Sequence, residues 1–563
     1  MKEHQEIGNE SVNIYNNRLS KGYGKLFTII SILNFIAIIF TIIFFIIFLF
    51  EPNSFEGNNI DEFTNDYCQN KTNEYYELLC TNKYYKYNIK KSKFIWILTD
   101  GTASDQLAML GNLEKYNITS FFLVEGDDIV YKHTNELHEA LITGKHNRNI
   151  VGKEINYDNI IKQMVNAGYK INYRGWGLPI PDIIGDQKDV VKTNKTFNKK
   201  FIDDDHEILP FSSFCNFANP FPFLIVPDDK YQSQNTKNVS DRLLNKTKDL
   251  VSNKSTHLYS QESKQDLYGE LDELFKDDPI DLFSLNIEDC LTNSFDWYAY
   301  ENLSIIYYTT EVDHFNHLYG KHYINTVLQM YITEKMIEKI MAWVDEHDDY
   351  VLLVSSDHGG QRFFGEDSMR NHGEDVSGNE AIFYVYSKEL KEHYDEFKMR
   401  KRYINIIDEN EIIAQVLENV SIPINSRGFP LKLFNCDINH FISLKMKELQ
   451  LIKLIERYIE KYYKYENSLK DILNSLKTNF SLTDSIIKEY IINDIEINPD
   501  KAKDFKSFLK SYEKSLILNQ KEILNIIDWK KKSAGNIILY VIIFIFAFLK
   551  CCFEFFFYIF KNI

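Results

Sequence analysis

Phe94-Ile-Trp-Ile-Leu98, running through Thr99 into Asp100-Gly101, is the stretch on which the fold turns. A compact apolar run without alternation is the pattern of a strand buried on both faces, as in parallel sheets covered by helices. Runs of the same kind recur at Lys170–Tyr173, Ser304–Tyr308, Tyr350–Val354 and Ala381–Tyr386. Amphipathic stretches of helical period, such as Tyr323 to Trp343, lie between several of them. Strands alternating with helices predict an α/β sandwich around a mostly parallel central sheet.

Outward from this core, two apolar stretches set the expected topology. Leu26 to Phe50 carries no charge and is long enough to cross a hydrocarbon core of ~30 Å as a helix. No small-residue cleavage pattern follows it, so it reads as an uncleaved signal anchor. Arg18, Lys21 and Lys25 precede it and Glu51, Glu56 and Asp61 follow, which predicts a cytosolic tail over 1–25 and a lumenal body. Residues 536–560 form a second expected span, interrupted by Lys550 and Glu554 at a spacing that pairs them on one helix face. Lys530, Lys531 and Lys532 stand on its lumenal side against the charge rule, and the cleaner first span decides the orientation.

A lumenal body also suits the Asn-x-Ser/Thr triplets at Asn70, Asn117, Asn194, Asn238, Asn245, Asn253, Asn302, Asn419 and Asn479, although an Asn-rich chain produces such triplets by chance. Cys68, Cys80, Cys215, Cys290 and Cys436 lie between the spans, and Cys68–Cys80 is the expected local disulfide. The 563-residue chain carries a formal net charge of −17 with no clustered basic groove, which argues against a nucleic-acid partner. Residues 51–90, polar and Tyr-rich, read as a lumenal stalk ahead of a catalytic domain over 91–435. Within that domain, about 187–270 reads as a partly disordered insertion, low in apolar content. From 436 to 530, apolar residues at three and four spacing (Leu449, Ile452, Ile455, Ile459) predict a helical stalk, for which packing is the simplest role.

Catalytic groups in open α/β sheets gather at the C-terminal ends of strands. Here those ends run into Asp100-Gly101, Asp313-His-Phe-Asn-His317 and Asp357-His358-Gly359-Gly360, and Asn371-His372-Gly373 precedes the last strand. Asp with neutral His suits zinc, and the i, i+4 spacing of Asp313 and His317 directs both side chains to one ion. Each pair alone is more simply a structural residue, and only the set, with every member at a strand end, points to two divalent ions. Such a centre needs a nucleophile whose hydroxyl a metal can activate. Lys132-His-Thr-Asn-Glu-Leu-His-Glu-Ala-Leu-Ile-Thr-Gly144 offers Thr134 at the start of an expected helix, where the positive helix end favours anions. Chemistry alone does not select Thr134 over Thr143 or Ser104, and an N-cap threonine is the simpler account of Thr134.

The order of these elements resembles the alkaline phosphatase superfamily, closest to its nucleotide pyrophosphatase/phosphodiesterase and glycosylphosphatidylinositol (GPI) ethanolamine phosphate transferase branches. The resemblance implies an alkaline-phosphatase-like sandwich with Thr134 as nucleophile. It implies one zinc held by Asp313, His317 and His372, and another by Asp100, Thr134, Asp357 and His358. Asn135 is implied as a donor to phosphate oxygens. Gly168–Gly177, Val312-Asp-His-Phe-Asn-His-Leu-Tyr-Gly320 and Ile422-Pro-Ile-Asn-Ser-Arg-Gly428 are similar to blocks of the transferase branch in particular. That branch implies an endoplasmic reticulum membrane enzyme moving phosphoethanolamine from phosphatidylethanolamine to a mannose of a GPI precursor. The chain departs from the pattern in three places. The first motif reads Asp100-Gly-Thr-Ala103 without the Arg usual after that Asp, Glu136 and Leu137 replace a Pro and an Arg, and the Trp176 loop lacks its paired acids. A single C-terminal span in place of a multi-span domain leaves three expectations: a shortened paralogue, a subunit that works with a multi-span partner subunit, or a truncated gene model. Two other functions remain open: a membrane-anchored metal-dependent phosphodiesterase or nucleotide pyrophosphatase, and a non-catalytic accessory subunit of GPI biosynthesis.

Overall fold

The structure, a computed structural model, describes residues 67–69, 71, 75–108, 117–121, 134–145, 158–175, 190–192, 250, 252, 254–255, 257–276, 303–309, 311–360, 380–394, 403–430, 432, 436–462, 467–492, 502–527 and 549. The expected tail, signal anchor, first part of the stalk, Trp176 loop and His372 lie outside the described residues, as does the second span apart from Leu549. Among the described residues no helix is long and apolar enough to cross a membrane. One compact unit, residues 62–520, contains the sheet and the candidate site; residues 1–61 and 521–563 form another.

In chain order the elements are α1 (Tyr76–Cys80), β1 (Lys93–Thr99), β2 (Asn117–Phe121), α2 (Thr134–Thr143), α3 (Ile160–Asn166), β3 (Lys170–Gly175), β4 (Val190–Lys192), α4 (Gln261–Lys276), β5 (Leu303–Thr309), α5 (Glu311–Tyr319), α6 (Ile324–Asp345), β6 (Tyr350–Ser356), β7 (Glu380–Tyr386), α7 (Lys388–Glu392), β8 (Tyr403–Asn405), α8 (Glu409–Val416), α9 (Asp437–Tyr462) and α10 (Asn467–Ile492). Residues 502–520 are also helical. The strands form one mixed sheet in the order β4-β3-β5-β1-β6-β7-β2-β8. Pairing is parallel except where β7 meets β6 and β2. The α/β architecture with a mostly parallel sheet is the one the sequence predicts.

β1 lies between β5 and β6, and its apolar run is buried throughout. Ile95 and Ile97 face a core with Ile305, Leu352 and Val354, covered by Val327, Leu328, Tyr331 and Ile337 of α6. Trp96 is also fully buried, its indole N–H donating to Ser355 Oγ at 3.1 Å. Register matters most for function. Thr99 pairs with Thr309 on one side and Ser356 on the other, so the three strands end level and their next residues share one edge.

Three segments outside the central strands pack into the domain. The stretch read as a stalk joins the domain from Tyr67 onward. Cys68 and Cys80 form the expected disulfide, Tyr67 OH accepts from the Ile422 N–H at 3.0 Å, and Cys68 N–H donates to Ser421 Oγ at 3.2 Å. Two parts of the stretch read as an insertion also belong to the fold. β4 pairs with β3, and α4 buries Leu267, Tyr268 and Leu271 against α6. Tyr268 OH donates to Glu334 at 2.9 Å. The polar composition hid a one-sided helix, whose outer face is all that the average reflects.

The stretch read as a helical stalk is anchored to the α/β core. On α9, fully buried Lys447 donates to Glu411 Oε1 of α8 at 3.0 Å and to the Ser426 carbonyl at 3.0 Å. Burial pulls the Lys447 pKa down and pushes that of Glu411 up, each against the attraction of the other. A buried pair of this kind is costly to break because the remaining charge is stranded. Lys447→Met is therefore expected to lower stability by about 3–5 kcal/mol in chemical denaturation. The double variant Lys447→Met/Glu411→Leu should recover a large part of that loss. An unchanged midpoint for the single variant would contradict this account of α9.

Candidate metal centre

Asp100 follows β1 directly, its backbone N–H donating to the Thr309 carbonyl at 2.8 Å. Asp357 follows β6 directly, and its Oδ1 accepts the N–H groups of Gly101 (3.2 Å) and His358 (2.9 Å). Asp313 and His317 lie on α5, with His317 Nε2 3.0 Å from Asp313 Oδ2. Four expected site residues thus converge on the level ends of β1, β5 and β6, together with His358.

His358 is the centre of this cluster and is buried. Its Nε2 lies 3.2 Å from Asp100 Oδ1, 3.6 Å from Asp357 Oδ2 and 4.0 Å from Asp313 Oδ1. Asp100, Asp313 and His358 each offer a ligand atom, and these atoms lie within 4.8 Å of one another. Asp313 stands at the junction of the two expected ligand sets, turning Oδ1 to His358 and Oδ2 to His317. Thr134 and Asn135 are the first two residues of α2, where their backbone is described.

The donor set fits a cation. His358 Nδ1 lies 3.0 Å from the Gly359 carbonyl, which can only accept, so Nδ1 carries a proton and Nε2 is the ring atom that a cation would take once its own proton is released. Nε2 faces the carboxylate oxygen Asp100 Oδ1 at 3.2 Å. Among the described residues, Asp100 Oδ1 and Asp357 Oδ2 are buried with no hydrogen-bond partner. Buried polar atoms in folded proteins are otherwise paired. Without a cation the cluster resolves its charge through protons. Burial, and then the Asp100 charge, push the Asp357 pKa well up. Burial would lower that of His358, but Asp357, Asp100 and Asp313 hold it well above the usual range. Burial likewise works against an ionised Asp100, yet His358 and His138 keep its pKa well below normal. Two carboxylates with an imidazole suit zinc or a similar divalent ion.

Sequence reasoning missed two neighbours. Tyr308, next to last in β5, donates its hydroxyl to Asp100 Oδ2 at 2.5 Å. His138, buried on α2, places Nδ1 3.7 Å from Asp357 Oδ2, and its ring meets Tyr308 edge-on with centroids 5.0 Å apart. The signal was present for His138, since residues four apart on a helix share a face and His138 lies one turn beyond Thr134. The Ile422–Gly428 block supports the far end of the same helix. Arg427 N–H donates to the Gly144 carbonyl at 2.7 Å. Gly144 has φ +68°, and a Cβ there would lie 2.2 Å from Ser426 Oγ.

A cation held here has a direct readout. Asn has nearly the shape of the protonated Asp357 that the cluster favours, so Asp357→Asn should leave the metal-free unfolding temperature within a few degrees of wild type. Adding Zn²⁺ should then raise the wild-type unfolding temperature, by ~2.7 kcal/mol of stabilisation at a hundredfold excess over Kd, and raise that of the variant much less. Equal shifts in the two proteins would contradict the assignment.

A family profile described as Type I phosphodiesterase / nucleotide pyrophosphatase matches residues 126–483. No curated protein matches the chain. Among solved structures the chain is similar to an alkaline phosphatase from the Antarctic bacterium TAB5, at 11% identity over 58% of this chain and 98% of that one, with a TM-score of 0.31. It is similar to a lipoteichoic acid synthase from Listeria monocytogenes at 10% identity over 63% and 80%, with a TM-score of 0.31. It is also similar to the lipooligosaccharide phosphoethanolamine transferase A of Neisseria meningitidis, at 12% identity over 58% and 55%, with a TM-score of 0.29. Scores this low establish no shared topology. The profile match spans most of the chain, from ahead of Thr134 through α5, β6 and α9, and on it the chain belongs to the type I phosphodiesterase/nucleotide pyrophosphatase family.

Proposed function

We propose that this protein is a phosphotransferase of the alkaline phosphatase superfamily, anchored in the endoplasmic reticulum membrane with its catalytic domain lumenal. In this reading it moves phosphoethanolamine from phosphatidylethanolamine to a mannose hydroxyl of a GPI precursor. The observation that carries it is the buried meeting of Asp100, Asp313 and His358 at the ends of the central strands. Membership of a phosphodiesterase family supports phosphodiester chemistry. The signal-anchor pattern and the Ile422–Gly428 block favour the transferase branch over a hydrolase.

Asp313, His317 and His372 would hold one zinc, and Asp100, Thr134, Asp357 and His358 the other. When bound, zinc lowers the pKa of a coordinated hydroxyl and draws charge from phosphoryl oxygens. Thr134 Oγ attacks the phosphorus of the lipid, the bond from phosphorus to the diacylglycerol oxygen breaks, and that oxygen takes up a proton. Thr134 then carries phosphoethanolamine as an ester. A mannose hydroxyl attacks the same phosphorus and loses its proton, the bond from phosphorus to Thr134 Oγ breaks, and Thr134 Oγ regains the proton that it gave up in the first step. Asn135 donates to a phosphoryl oxygen, and the positive end of α2 favours the transferring group. A multi-span partner subunit would present the lipid acceptor.

A second reading, favoured by the family profile itself, is a membrane-anchored phosphodiesterase or nucleotide pyrophosphatase in which water replaces mannose. Mass spectrometry of GPI precursors from cells deleted for the gene separates the two. The transferase reading expects precursors lacking one phosphoethanolamine, restored by wild type and not by Thr134→Ala. An unchanged precursor profile would overturn it and leave the hydrolase.

A further inference from the structure

We propose that Asn316 is a positioning residue of the metal centre, tying together through one side-chain amide the three chain segments that supply Asp100, Asp313 and His358. The inference rests on the reading that these residues hold a divalent cation, and is independent of the lipid substrate.

Asn316 lies on α5 between Asp313 and His317 and is 1% exposed. Its Nδ2 donates to the Gly101 carbonyl, one residue past Asp100, at 2.6 Å. Its Oδ1 accepts from Gln106 Nε2 at 2.7 Å, and Gln106 Oε1 in turn accepts the Ala103 N–H at 2.8 Å. Gln106 is fully buried. The loop after β1 is therefore held at Gly101, Ala103 and Gln106 by a chain of amides that begins on the helix carrying Asp313 and His317.

The loop after β6 packs on the same pair. A Cβ on Gly360, two residues past His358, would lie 2.6 Å from Asn316 Nδ2 and 2.7 Å from Gln106 Oε1. Position 101 offers no alternative anchor. Gly101 has φ +64°, and a Cβ there would lie 2.5 Å from Asp313 Oδ1, so this loop has no room for a side chain immediately after Asp100. Its carbonyl must be held from outside, and Asn316 holds it. An amide can donate in one direction and accept in the other, whereas a carboxylate in the same place would meet the Gly101 carbonyl with a like partial charge. Groups that orient the ligands of a metal contribute about 10–100-fold to its affinity.

A merely structural amide would stabilise the fold without tuning the centre, so the test separates the two roles. Co²⁺ is titrated into the full purified chain while its visible absorption is recorded, alongside thermal unfolding of the metal-free protein. Asn316→Ala is expected to weaken Co²⁺ binding about 10–100-fold and to change the spectrum. Thr326→Val serves as the structural comparison, since Thr326 Oγ1 donates to the Gly320 carbonyl at the end of the same helix, at 2.9 Å. It should lower the unfolding temperature while keeping the affinity and spectrum of wild type. Wild-type affinity and spectrum in Asn316→Ala would overturn the proposal whatever its unfolding temperature. Should that variant fail to fold, Gln106→Leu decides, with weakened binding expected and unchanged binding contradictory. A wild-type chain that binds no Co²⁺ removes the metal reading itself, and the positioning role with it.

Discussion

Three carboxylates share one imidazole at a site where Asp100, Asp357 and His358 are buried, and the rest of the site follows from how that charge is settled. Asp100, Asp357 and Asp313 lie 3.2, 3.6 and 4.0 Å from His358 Nε2. The ligand oxygens of Asp100 and Asp313 lie within 4.8 Å of one another, and like charges at about that distance repel by roughly 3 kcal/mol even at an effective dielectric of 20. In the metal-free protein burial, and then the Asp100 charge, push the Asp357 pKa up, while Asp357, Asp100 and Asp313 hold that of His358 up against burial, so both groups favour their protonated forms. A divalent cation relieves it better, satisfying the unpartnered Oδ2 of Asp357, neutralising Asp100 and releasing those protons.

The fold brings these groups together through register rather than through local sequence. Thr99, Thr309 and Ser356 end their strands side by side, so the residues that follow need only short turns to converge. Behind this edge, α2 packs against α3 and α8. Its C-terminal glycine is fitted against Ser426, whose hydroxyl donates to Glu411 at 2.8 Å, and Glu411 pairs with Lys447 of α9. The helix that begins with Thr134 is thus held by a chain of contacts reaching into the C-terminal helices. This agrees with a family profile that runs on past α9.

The sequence made the central strands legible because strands buried on both faces must be continuously apolar, as β1, β5, β6 and β7 are. It made the carboxylates legible because each stands just beyond such a strand. Short strands such as Val190–Lys192 and Tyr403–Asn405 carry too few residues to show a period and are defined by their neighbours alone. Tyr308 and His138 acquire their roles only through tertiary contact, Tyr308 from inside a strand and His138 from a helix. The segment ahead of β1 and α4 were hidden for another reason. Their average polarity masked buried positions such as Tyr67, Leu79, Leu267 and Leu271.

The most direct measurement of the central claim is anomalous diffraction at the zinc edge from crystals of the chain grown with Zn²⁺. The account predicts a peak at about 2.0–2.2 Å from Asp100 Oδ1 and His358 Nε2, with Asp313 alongside. Fully occupied zinc found only elsewhere, with Asp100 and His358 still in direct contact, would contradict it.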